Sequence, residues 1–209
     1  MNIRFSSREL RDLAVAWIAL GVAFAIFFAG GGSGAVSMLL SQGVVGPLLV
    51  SLVTAGLGFL LHELAHKVVA VRFEQIAEFR ADYGMLFLAV MSALVGFLFA
   101  APGAVHHRGR LTKREHGLIA LAGPATNGLL AVVFAPVYVA GLIAGSPLLS
   151  LLGGRGVAIN LFLAAFNLIP FGALDGRTVL DWSKGVFALT FVPAAAVAIY
   201  VVFVLGIGF

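Results

Sequence analysis

His62-Glu63-Leu64-Ala65-His66 is the stretch of this chain whose residue types and spacing can do chemistry. On a helix, residues four apart sit one turn apart on the same face, so His62 and His66 stack with Glu63 beside them. Two imidazoles at that spacing suit a divalent ion such as Zn²⁺, and the adjacent carboxylate can take a proton from water at the ion. The competing reading is a polar pair that ties helices together without metal. The setting favours function: in the apolar run 44–71 no ionisable group precedes His62, and ionisable residues inside such runs are rare and usually functional.

A two-histidine site needs a third protein ligand and an open fourth position. The chain has nine acidic residues, five histidines and no cysteine, so imidazole and carboxylate are the available donors and disulfides are excluded. Asp175 stands out. It lies in Asn167-Leu168-Ile169-Pro170-Phe171-Gly172-Ala173-Leu174-Asp175-Gly176, just after an apolar run, where proline and glycine break a helix. An ionised aspartate near a membrane core costs roughly 2.5–3.5 kcal/mol, which a bound cation would offset. Taken alone, Asp175-Gly176 is equally a turn pair. His106 and His107 do not read as a second metal site: adjacent side chains point apart, and basic residues surround them, as in a solvated loop. His116 reads as interfacial.

Composition defines the medium. Of 209 residues 61% are hydrophobic and 11% charged, with mean hydropathy +1.09, against about 45–50% and about 25% in a soluble domain. The chain therefore reads as a multi-pass membrane protein of the all-α class, a helical bundle in one domain, 1–209. A net charge of +4 and pI ≈ 10.0 do not signal nucleic acid, because the basic residues form no dense stripe. They sit in short links, as positive-inside bias produces. The run 13–30 is longer than the ~7–15 apolar residues of a cleaved signal and reads as a retained first span.

Five segments read as spans: about 13–30, 44–71, 118–144, 148–170 and 186–207. Trp17 and Trp182 fall near expected segment ends, where indole suits the headgroup region. A sixth apolar stretch, 85–101, is ambiguous. If it crossed, Lys and Arg would divide almost evenly between the two sides. If it dips and returns to the same face, all but Arg155 lie inside, so a re-entrant or hairpin segment is expected. Only that topology leaves Asp175 on the side of His66. Ahead of it, Glu78, Arg80 and Asp82 alternate with Ala77, Phe79 and Ala81, a strand signature. The residues 101–106 could supply a second strand, giving a short sheet at the inner membrane surface.

At these residues the chain resembles the site-2 protease family of intramembrane zinc metalloproteases. The resemblance rests on His62-Glu63-Leu64-Ala65-His66 paired with Asn167, Pro170 and Asp175-Gly176, and on Gly123-Pro124-Ala125-Thr126-Asn127, similar to the family's Gly-Pro-x-x-Asn element. It runs from about 44 to 176. It implies one Zn²⁺ per chain held by His62, His66 and Asp175, Glu63 as general base, and Asn167 as a hydrogen-bond partner of substrate or the developing oxyanion. Asn167 otherwise reads as a helix cap or bridge, and Asn127 as a helix–helix hydrogen bond. No segment is long enough for the PDZ or CBS domains of many members, so a minimal, prokaryotic-type core is expected. The implied partner is a transmembrane protein, cut in or near its membrane segment from the cytoplasmic side of the cell membrane. The strand 76–82 could hold an unwound substrate by β-addition. Rival readings are an ion or metal transporter using the same three ligands, or an inactive scaffold of the same fold. A non-ligating Glu63 beside a ligand argues for the enzyme, since transport needs no such group.

Overall fold

In the computed structural model, residues 3–41, 43–99 and 102–208 are described. Helices dominate, and five of those described are long and apolar enough to cross a membrane: Ser7–Phe28, Val45–Arg72, Lys113–Ile143, Pro147–Asn167 and Lys184–Val204. The protein is a polytopic α-helical bundle with one small two-stranded sheet. It divides into two compact units, one formed by Arg4–Leu60 with Glu78–His106 and the other by Leu61–Ala77 with His107–Phe209.

In the first unit, α1 (Ser7–Phe28) begins earlier than its apolar run. The Ser6 hydroxyl accepts from the Glu9 amide at 3.1 Å, which caps the helix and carries its start back over the charged turn 8–12. α2 (Gly32–Ser41) follows. α3 (Val45–Ser51) passes through a π-helical turn, Leu52–Gly56, into α4 (Leu57–Arg72). Trp17 corrects the interfacial expectation. It lies mid-helix in α1, and its indole donates at 3.0 Å to Leu52 O, a carbonyl of the π-helical turn that also accepts from the Leu57 amide.

The sheet resolves the sixth stretch. β1 (Ile76–Ala81) pairs with β2 (Gly103–Arg108), and the Asp82 amide donates to Pro102 O at 3.0 Å. The end of β1 thus meets the start of β2, so the chain leaves and re-enters the sheet at one place. Between them runs α5 (Tyr83–Leu94), twelve residues capped by the Asp82 carboxylate. At 1.5 Å per residue it spans about 18 Å, short of a ~30 Å bilayer core. This is a hairpin excursion, not a crossing. Ala100 and Ala101, at the end of the expected stretch, lie outside the described residues. β2 starts two residues later than expected because Pro102 has no N–H to give the ladder.

The other edge of β1 is occupied. The Phe79 amide donates to Glu9 Oε1 at 3.0 Å and the Ala81 amide reaches Asp12 Oδ2 at 3.5 Å. These amides face away from β2, because the Asp82 amide faces toward it and strand amides alternate. The expectation that β1 offers an open edge therefore fails at these two donors, which buried carboxylates hold.

In the second unit, α6 (Lys113–Ile143) opens with a Thr112–Glu115 capping box, five residues before the expected apolar start. It packs against α7 (Pro147–Asn167) and α8 (Asp175–Trp182), and α9 (Lys184–Ile199) covers α7 and α8. Arg155 lies half-buried within α7. Ala120, Leu168 and Val179 form a core cluster against which Trp182 packs.

Candidate metal centre

The part of α4 carrying His62, Glu63 and His66 belongs to the second unit, and all three are buried. The imidazoles meet edge to face with centroids 4.6 Å apart. Ligand atoms of His62, Glu63 and His66 lie within 4.8 Å of one another. One turn of helix produces this stacking, as the i, i+4 spacing requires.

Asp175 arrives from α8. Its Oδ2 lies 3.2 Å from His62 Nε2 and 3.4 Å from His66 Nε2. What brings it there is the break after α7: Pro170 and Gly172 turn the chain, and α8 restarts with Asp175 in its first turn, where a carboxylate is favoured by the helix dipole. Gly176 is required for the close approach, since a Cβ there would run into Leu168 O.

The imidazole orientations are set from behind. His66 Nδ1 donates to Ile119 O at 2.7 Å, and His62 Nδ1 donates to Asn127 Oδ1 at 2.5 Å. A carbonyl can only accept, so both rings carry their proton on Nδ1 and turn the Nε2 lone pair toward Asp175. Asn127 thus makes the expected helix–helix hydrogen bond, with His62 as its partner. Its Nδ2 donates in turn to Asn160 Oδ1 at 2.9 Å.

These residues fit a metal ion. Two lone pairs and a carboxylate oxygen converge where they repel one another unless they share a cation. For metal–ligand bonds of 2.0–2.1 Å, the edge of a tetrahedron is about 3.3–3.4 Å, close to the two spacings observed. Gly123 of α6 keeps that space clear: a Cβ there would sit on His62 Nε2 and His66 Nε2. Bound there, Zn²⁺ would supply Lewis-acid polarisation of a carbonyl and acidify a water.

Asn167 is not part of this convergence. Half-buried at the end of α7, its amide donates to Leu163 O of its own helix at 2.9 Å. Sequence reasoning passed over Asn160, Ile119 and the steric role of Gly123. The available signals were a polar side chain inside an apolar run for Asn160, and for Gly123 the glycine of its motif.

The fold thus joins helices long and apolar enough to cross a membrane to a group of side chains that could hold a metal ion. Comparison with known proteins agrees. The chain is 38% identical over 202 residues to "Putative zinc metalloprotease MJ0611" of Methanocaldococcus jannaschii, covering 96% of this chain and 97% of that protein. It is 30% identical over 153 residues to "Putative zinc metalloprotease YwhC" of Bacillus subtilis, covering 65% and 68%. The chain belongs to this family of zinc metalloproteases, in keeping with its site-2 protease motifs. No family model and no solved structure matches it.

Proposed function

We propose that this metalloprotease is of the site-2 type and hydrolyses a peptide bond in or near a transmembrane segment of another membrane protein. One Zn²⁺ per chain is held by His62, His66 and Asp175. The observation that carries the reading is the convergence of these three side chains, the histidines buried and Asp175 half-buried, in a chain with helices long and apolar enough to cross a membrane. Glu63, buried beside the ligands, takes the proton of the attacking water on its carboxylate and passes it to the leaving nitrogen. Ile119 O and the Asn127 amide keep the imidazoles aimed. Asn167 offers its second amide hydrogen to the substrate carbonyl as charge develops on oxygen.

The active site opens toward the cytoplasm. His66 lies six residues before the end of α4, and Asp175 follows the end of α7. With α5 as an excursion rather than a crossing, those ends share the face that carries most of the basic links. An unwound substrate adds to β2 rather than β1, whose outer amides are taken.

The test is Glu63→Gln in the full chain. Zinc content should stay near that of the parent while cleavage of a transmembrane substrate falls by ~10²–10⁴-fold. Retained cleavage overturns the mechanism. Zinc flux into liposomes unaffected by the substitution favours a transporter instead.

A further inference from the structure

The two ligand histidines are oriented by unlike partners. His66 leans on Ile119 O, a backbone carbonyl that can only accept. His62 leans on Asn127, a side-chain amide whose two ends are nearly the same shape. Turned one way, that amide offers oxygen and keeps the His62 proton on Nδ1. Turned the other, it offers N–H, drives the imidazole proton to Nε2 and blocks the lone pair that faces Asp175. Nothing in Asn127 itself decides between these.

Asn160 favours the first. Its Nδ2 donates to Gly156 O of its own helix at 2.8 Å, and reversing it would set oxygen against oxygen. Its Oδ1 is therefore fixed as an acceptor facing Asn127, whose Nδ2 meets it at 2.9 Å. Reversing Asn127 would again oppose two oxygens. Both asparagines have no exposed surface, so water is not at hand to repair a wrong arrangement.

We propose that Asn160 is a positioning residue: through Asn127 it fixes the tautomer of His62 and so holds Nε2 ready for the metal. The proposal rests on the metal-centre reading above and adds a residue that does not touch the ion.

The experiment uses the full chain in detergent micelles, with zinc affinity read by competition with a chromogenic chelator. The His62 tautomer is read by ¹⁵N spectra of zinc-free protein carrying labelled histidine. Asn160→Leu keeps the volume but removes the acceptor; zinc affinity should fall ~10–100-fold and the His62 proton should no longer reside on Nδ1 alone. Asn160→Asp should retain affinity near the parent's, because a neutral carboxylic acid offers Asn127 the same oxygen and Gly156 O the same kind of donor. Adding Asn127→Asp to Asn160→Leu should restore affinity, since a carboxylate accepts from His62 whichever way it turns. Unchanged affinity in Asn160→Leu, or a loss that Asn127→Asp does not repair, overturns the proposal. So does an Nε2–H form of His62 in the zinc-free parent, a result that needs no variant to fold. Undiminished zinc binding in His62→Ala would instead sink the metal-centre reading on which this stands.

Discussion

The two units bury acidic groups to opposite ends. In the first, Glu9 and Asp12 are almost wholly buried, and their partners are fixed donors. The Phe79 and Ala81 amides point at them, and the Tyr83 hydroxyl donates to Asp12 Oδ1 at 2.7 Å. In the second, Asp175 faces His62 Nε2 and His66 Nε2, both turned toward it as acceptors. The first cluster closes on itself and holds a helix to a strand. The second sets acceptor atoms against one another, an arrangement that a metal ion would satisfy. Burial alone therefore does not mark a functional site; what marks it is a cluster whose members have the same hydrogen-bond polarity.

The contrast can be broken most severely at Gly123. Gly123→Ala puts a methyl group on the two Nε2 atoms, and zinc bound per chain, measured by atomic absorption, should drop from one equivalent to near none while the protein still folds. A smaller effect is expected from Asn167→Ala. With an amide donor removed from the oxyanion, cleavage should slow ~10²–10³-fold at unaltered zinc content, which separates this residue from the ligands. Asp12→Ala tests the closed cluster. Stranding the Tyr83 hydroxyl and the Ala81 amide should lower unfolding free energy by about 1–3 kcal/mol, followed by unfolding in mixed micelles, with zinc affinity retained. Tyr83→Phe removes only one donor and should cost about 1 kcal/mol. Loss of zinc affinity in either Asp12→Ala or Tyr83→Phe would show that the two clusters are not independent.

Much of this was legible from local pattern. The i, i+4 histidines predict a shared helical face, and the structure places their rings in contact. The alternation at 77–82 predicts β1, and the distribution of lysine and arginine predicts that 85–101 does not cross. Helix starts were misplaced at the first apolar residue, because the capping residues set them earlier: Ser6 with Glu9 for α1, and Thr112 with Glu115 for α6. The burial of Glu9 and Asp12 was not legible, because a charged turn before an apolar run looks the same whether it meets water or the edge of a strand.

Residue type and spacing along the chain determined the medium, the spans, the helix that stacks His62 on His66 and Asp175 as a candidate partner for them, since these follow from hydropathy, helical period and donor chemistry over short separations. Only the tertiary structure decided that Asn160 stands behind Asn127, that Gly123 leaves room for an ion, and that the outer edge of β1 is taken. Each of these joins residues more than thirty positions apart, and which side chains meet across such separations is set by how helices and strands pack, not by any pattern within one of them.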